Sequence, residues 1–268
     1  MNVTILGCGA IGGTLAKALQ GMDGISGVVL YDIHSDKSEA LQATLPKAKR
    51  AASLDEAIAG GDLIVEAANQ DAVIEFLPKA LAARKDVLVL SVGALLNYDF
   101  RATCKDLATK NGRKIYIPSG AVAGIDGLGA AGEEQIDEVI LMSYKPPAAL
   151  EGAEYFKKRG IDLTKIDGPK VVFDGSAREA VKLFPKNINV AATISLAGLG
   201  FEKTRVKLVV DPKATKNTHR LIVKWKFGEI EAWTRNEPFP SNPRTSYLAA
   251  LSAISAVKKI AGTVWVGV

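Results

Sequence analysis

The sequence predicts an α/β protein. A doubly wound parallel sheet comes first, and a second α/β domain built on a mixed or antiparallel sheet follows. Three observations carry this. A short apolar strand, residues 3–6, runs into Gly7-Cys8-Gly9-Ala10-Ile11-Gly12 and then into an apolar helical run. Strand-like and helix-like segments alternate regularly up to residue 121. Beyond that point the rhythm changes to longer strands with period-2 alternation at 203–211, 218–225 and 227–234.

The glycine segment stands in the context that gives it meaning, between a strand and a helix. Gly7 allows the tight turn out of the strand. Gly9 has no Cβ, so backbone can approach a pyrophosphate, and Gly12 lets the helix pack close to the sheet. The helix N-terminus, with Ala10 and Ile11 in its first turn, offers free N–H groups to phosphate. A second strand, residues 28–31, ends in Asp32, twenty residues past Gly12. That carboxylate suits a ribose diol and repels a 2′-phosphate, so a Rossmann-type domain preferring NAD is expected.

The remaining elements follow in order. After a turn at 33–37 comes a helix to about residue 45, and a short third strand is expected at 48–52. Ser53 and Glu56 form a capping box for the helix over 54–59. A buried strand at 62–66 leads through loop 67–70 to a helix over 71–83. Strand 87–90, exit loop 91–94, a helix over 100–110 stopped by Asn111-Gly112, and strand 114–117 complete the unit. The stretch 120–132 is rich in glycine and reads as bends. A strand at 134–144, a loop at Pro146-Pro147, a short helix over 153–159 and a strand at 170–174 come next. Ser176 and Glu179 form a second capping box. Residues 184–187 break that helix, and the apolar, small-residue helix over 188–199 reads as buried on several sides. A hairpin turn falls near Lys226 to Glu229. Residues 236–244, with three prolines, read as a linker-like crossing before a final helix to about residue 260 that returns to the first domain. The expected domains are 1–121 for dinucleotide binding, 122–243 for catalysis and dimerisation, and 244–268 for the returning helix.

The chain has 268 residues, 48% hydrophobic and 24% charged, an ordinary composition for a globular protein. No apolar stretch approaches the length of a membrane span, and the strand-first N-terminus argues against a signal peptide. Cys8 and Cys104 are the only cysteines. They read as free thiols in a reducing, cytoplasmic compartment. The formal charge of +5 lies wholly in the second part: residues 1–121 hold thirteen basic and thirteen acidic side chains, and residues 122–268 hold twenty-one and sixteen. The basic residues are scattered, with no basic–aromatic run, so nucleic-acid binding is not expected. An anionic small molecule fits better.

In a doubly wound sheet the ligand lies at the C-terminal strand ends. That selects Ala68 and Asn69, then Ser91, then residues 118–121 with Ser119 and Ala121. Each of these polar groups could equally cap its own loop. The chain has two histidines. His34 falls in the adenosine-side loop after Asp32 and reads as surface or adenine-proximal, and non-catalytic. His219 lies in an alternating strand, with Thr218, Arg220 and Ile222 facing one way and His219, Leu221 and Val223 the other. Two readings stand open for His219: a satisfied core histidine, or a proton-transfer group turned into the cleft. No metal-ligand spacing exists. Asn187 and Asn189 either cap the following helix or face a cofactor. Lys186, Arg220 and Arg244 are candidate carboxylate binders, arginine being the better partner for a planar carboxylate.

The chain resembles the archaeal-type L-aspartate dehydrogenase family over nearly its whole length. The likeness rests on residues 7–12, on Ile117-Pro118-Ser119-Gly120-Ala121 and on Lys182-Leu183-Phe184-Pro185-Lys186-Asn187-Ile188-Asn189-Val190-Ala191-Ala192. Asn217-Thr218-His219 and Asn242-Pro243-Arg244-Thr245-Ser246-Tyr247 extend it. The resemblance implies a catalytic His219, cofactor contacts at Ala121 and Asn189, and a homodimer. It implies hydride transfer from L-aspartate to NAD or NADP, giving iminoaspartate for NAD biosynthesis or, after hydrolysis, oxaloacetate and ammonia. The glycine segment alone would equally suit a homoserine dehydrogenase-like or dihydrodipicolinate reductase-like enzyme, or an NAD-sensing protein without turnover. The segment 184–192 argues against the two other enzymes.

Overall fold

A computed structural model describes residues 1–184, 189–239 and 242–267. The chain divides into two compact units, Met1–Pro118 with Ala249–Val268, and Ser119–Leu248.

In the first unit, β1 (Asn2–Leu6) leads into α1 (Ala10–Leu19), β2 (Gly27–Tyr31), α2 (Ser35–Ala43), β3 (Ala48–Arg50) and α3 (Leu54–Gly60). Then come β4 (Leu63–Glu66), α4 (Gln70–Ala82), β5 (Asp86–Val89), α5 (Tyr98–Asn111) and β6 (Ile115–Tyr116). The six strands pair in the order β3-β2-β1-β4-β5-β6, parallel throughout. The order reverses between β1 and β4, which is where such sheets open a crevice for ligands. Val3, Ile5, Leu30, Val65 and Leu88 are fully buried, covered in part by Leu15 and Ala16 of α1. Ala253 and Val257 of the C-terminal helix, Tyr247–Ala261, join that core.

Local signals set most boundaries. Gly112, at φ 63°, closes α5. Ser53 accepts from Glu56 N at 3.1 Å. The predicted capping box there is not closed, because the Glu56 carboxylate takes the N–H of Ala52 at 2.7 Å instead. It still satisfies a donor ahead of the helix, one residue earlier. Residues 91–94, read as a loop, enter a 3₁₀ turn, Val92–Leu96.

The second unit begins with α6 (Ile125–Ala131) and β7 (Ile136–Lys145), then α7 (Pro147–Leu150), α8 (Glu154–Lys158), β8 (Lys170–Ser176) and α9 (Ala177–Leu183). It continues with α10 (Asn189–Ala197), α11 (Gly200–Lys203), β9 (Arg205–Val210), β10 (Asn217–Trp225) and β11 (Gly228–Asn236). Their sheet has the order β11-β10-β7-β9-β8 and is mixed: β7 and β9 run parallel, the other pairs antiparallel. The Ser176 capping box closes in both directions. Residues 191–195 of α10 are all buried, as the run of small residues predicts.

Three expectations fail here. The glycine-rich stretch forms a helix, α6, because its small residues let it pack close. A Cβ at Gly127 would stand 2.9 Å from Ile230 Cδ1, and one at Gly198 would stand 2.9 Å from Leu128 Cδ1. Pro147 starts a helical turn instead of a loop, since a proline at the first helical position loses no hydrogen bond. Residues 236–244 are not a bare crossing: β12 (Pro238–Phe239) and β13 (Asn242–Ser246) pair antiparallel, with Phe239 packed on Tyr247 at 5.1 Å between ring centroids.

Candidate active site

The first unit carries a cradle at the C-terminal ends of β1 and β4. Gly7 holds φ +99°, and a Cβ there would lie 2.7 Å from the Ala67 carbonyl oxygen. A Cβ at Gly12 would fall 1.9 Å from the Gly7 carbonyl oxygen, so only glycine permits this helix–strand approach. A Cβ at Gly9 would meet nothing within 4 Å. Open space thus lies before the first turn of α1, where Ala10 and Ile11 present N–H groups that no helical carbonyl reaches. Asp32 Oδ2 accepts from Cys8 N at 2.8 Å and Oδ1 from His34 N at 2.9 Å. Each oxygen keeps room for another donor. The residues present therefore fit a dinucleotide. His34 is exposed. Burial, and then the Asp32 charge, push the Cys8 thiol up to about 12, and burial pushes Cys104 up to about 11, so neither is a ready nucleophile.

A node that the sequence reading passed over lies beneath this cradle. Glu66 closes β4 and is 0% exposed. Its carboxylate accepts from Ala68 N at 2.8 Å, Leu90 N at 3.1 Å, Ser91 N at 2.8 Å and Ser91 Oγ at 2.7 Å. Burial pushes this carboxyl above its ordinary range, while the four donors pull against that. The node pins the exit loops of β4 and β5 together. Ser91 thus spends its hydroxyl inward on Glu66, and Asn69 caps α4 through Ala72 N at 2.9 Å. Ala68 and Asn69 are exposed beside them. The available signal was a carboxylate ending an otherwise apolar strand.

The second unit gathers polar groups on the buried face of its sheet. His219 is 4% exposed and shares that face with Leu221 and Val223, as the alternation predicts. Its Nδ1 lies 2.9 Å from Ser143 Oγ, directly opposite on β7. Burial, and then the positive charge of Lys145, hold the imidazole down to about 3, so it is neutral near pH 7. A neutral imidazole whose Nδ1–H is given to Ser143 keeps a lone pair on Nε2 for a proton. Next along the same face, Lys145 Nζ lies 3.5 Å from Asn217 Oδ1. Thr234 Oγ1 and Asn236 Nδ2 each donate to the Ala121 carbonyl at 3.0 Å, fixing the loop after residue 118 against this corner. Ser119 is half-buried.

The other candidates separate from His219. Arg220 points to the opposite face of β10, where it pairs with Glu231 at 2.6 Å and lies 5.1 Å from the Trp233 ring centroid. It is thus held by protein partners and removed from the His219 face. Asn189 is exposed at the first turn of α10. Lys186, Asn187 and the side chain of Arg244 lie outside the described residues. Among the described residues no group of three metal-ligating side chains forms, and no helix is long and apolar enough to cross a membrane.

The 3-2-1-4-5-6 sheet, the glycine cradle and the buried histidine of the second unit define a nicotinamide-dinucleotide dehydrogenase. The comparisons are specific about which kind. A family model described as homoserine dehydrogenase, NAD binding domain, matches residues 7–118, and one described as aspartate dehydrogenase, C-terminal, matches residues 126–260. L-aspartate dehydrogenase of Methanosarcina acetivorans is 47% identical over 270 residues, covering 100% of this chain and 99% of that protein. The Methanocaldococcus jannaschii protein of the same name is 42% identical over 274 residues, with 100% and 99% covered. The crystal structure of aspartate dehydrogenase from Thermotoga maritima superposes with a TM-score of 0.75 at 28% identity, covering 100% of this chain and 99% of that one. The chain belongs to the L-aspartate dehydrogenase family.

Proposed function

We propose that this protein oxidises L-aspartate to iminoaspartate with NAD as the preferred acceptor, or runs the reverse amination of oxaloacetate. Membership of the family along the whole chain is the observation that carries this reading. When bound, the oxidised nicotinamide accepts the hydride that leaves the substrate Cα. The chain's own residues do the rest. His219, neutral and oriented through Ser143, takes the proton from the substrate amino group at Nε2. The α1 N-terminus and Gly9 hold the pyrophosphate, and Asp32 holds the ribose diol in preference to a 2′-phosphate. Within the first unit Ala68, Asn69 and Ser91 are assigned to the cofactor, the first two at exposed positions, and the family resemblance assigns Ala121 and Asn189 of the second unit to it. Lys186, Asn187 and Arg244 are assigned to substrate carboxylate binding from the sequence alone.

The same reading includes a cytoplasmic enzyme, to which two free thiols are suited, feeding NAD biosynthesis. It includes a homodimer through the outward face of the second sheet, where Trp233 is exposed beside Arg220 and Arg235. The homoserine reading draws on the first unit alone, whose cradle many dehydrogenases share. Purified protein is expected to form NADH with NAD and L-aspartate, and to give no comparable rate with L-malate or L-homoserine. Faster turnover with either of those overturns the assignment.

A further inference from the structure

Lys145 stands out among the buried charges of the second unit. It ends β7 on the interior face and is only 3% exposed. Among the described residues its one hydrogen-bonding neighbour is neutral, the Asn217 amide oxygen at 3.5 Å, a long contact for an ammonium group. Among the described residues no carboxylate lies within ion-pair distance of it, whereas other buried-face positions are apolar or hydrogen-bonded within the sheet. A buried ammonium without a counter-charge is costly, and folds retain one where something else supplies the anion. The neighbours say where that anion would lie. In the ladder, Ser143 pairs with His219, and the next same-face positions are Lys145 on β7 and Asn217 on β10. Same-face positions two apart are separated by about 7 Å along a strand, so one small molecule can touch both His219 and Lys145. Thr234 and Asn236 carry the polar surface on to the half-buried strand β11.

We propose that Lys145 binds a carboxylate of the substrate beside His219, and so selects a dicarboxylic amino acid over one with an uncharged side chain. The assignment deepens the L-aspartate reading and rests on it for the identity of the substrate. It also gives the cation role to a residue on the His219 face, in place of Arg220 on the other. Burial lowers Lys145 to about 8, the mark of a charge that lacks a partner in the free protein, yet leaves it cationic at neutral pH. A substrate carboxylate would supply the missing charge and relieve the repulsion that Lys145 exerts on a His219 proton.

The test uses the full chain with NADH bound and two probes, succinate and butyrate, by calorimetry, together with L-aspartate kinetics. Wild-type protein should bind succinate and bind butyrate far less. Lys145→Met, which keeps the aliphatic stem, should raise the succinate Kd and the aspartate KM roughly 30- to 1,000-fold, the scale for losing one partner of a buried charge pair. Its kcat should move less than its KM. The NADH Kd should stay within about threefold, and the melting temperature of the free protein should hold or rise, because an unpaired buried charge has been removed. Lys145→Gln, which keeps a hydrogen bond to Asn217, should show the same loss of succinate binding. Unchanged succinate and aspartate constants in both variants overturn the assignment, as does a wild type that binds butyrate as well as succinate or binds neither. So does a fall in melting temperature with succinate binding intact, which would make Lys145 purely structural. A wild type that never oxidises L-aspartate overturns the functional reading, and the succinate arm still decides whether Lys145 is an anion anchor.

Discussion

The two units each bury a charged side chain at the end of a strand, and they treat it in opposite ways. Glu66 has four donors within 3.1 Å, three from backbone and one from Ser91 Oγ. Among the described residues the Lys145 ammonium has a single long contact, to a neutral amide. A buried charge whose hydrogen-bonding capacity is filled by its own fold is part of the scaffold. One left nearly bare faces work that the fold does not complete. The contrast extends to their neighbours: Glu66 holds two loops in place, while Lys145 sits beside a histidine kept neutral.

The sharpest break of this comparison lies at His219. His219→Ala is expected to lower aspartate turnover by roughly 10²–10⁴-fold, the usual effect of losing a positioned proton-transfer group. Because the ring is buried against Ser143, the melting temperature should fall as well. Rates are therefore read on folded protein, and His219→Asn, which keeps a polar group near Ser143, separates the two effects. Turnover near wild type in either variant refutes the catalytic role. The variant should also change acid stability. The folded pKa is depressed to about 3 from 6.5, so the unfolded chain takes the proton first. Stability from this group is full above about 6.5 and is lost as pH falls toward about 3. Acid melting curves should lose that slope when the imidazole is removed.

Glu66→Ala comes next. It leaves four donors without an acceptor, the two of Ser91 buried, at about 1–3 kcal/mol for each one that water does not reach. A fall in melting temperature of the order of 5–10 °C is expected, together with weaker NAD binding as the loops after β4 and β5 come apart. An unchanged melting temperature would show that water replaces the carboxylate and would erase the contrast with Lys145. The smallest effect is at the cradle's edge. Asp32→Ala should shift the ratio of NADP to NAD dissociation constants toward NADP by roughly tenfold or more, since like charge no longer opposes a 2′-phosphate. An unchanged ratio would show that Asp32 only ties the loop through Cys8 and His34.

Much of this protein was determined by its sequence alone, and the legible parts share a cause. The glycine cradle is a matter of backbone permission within six residues. The α5 stop at Gly112 and the Ser176 capping box are likewise local. The face of His219, and the opposite face of Arg220, follow from the two-residue period of a strand. The rest depended on partners far away in sequence. Glu66 was an unremarkable strand end until β5 brought Leu90 and Ser91 onto it. Lys145 closes a strand that reads like any other, and its lack of an ion pair among the described residues appears only when β10 is laid against β7, 72 residues on, with Asn217 opposite. The helix in the glycine-rich stretch formed because Ile230 lies close to Gly127, which no local signal announces. Backbone geometry and side-chain period are written residue by residue. Whether a buried charge is satisfied or left waiting depends on strand register, and that is decided only when distant segments meet.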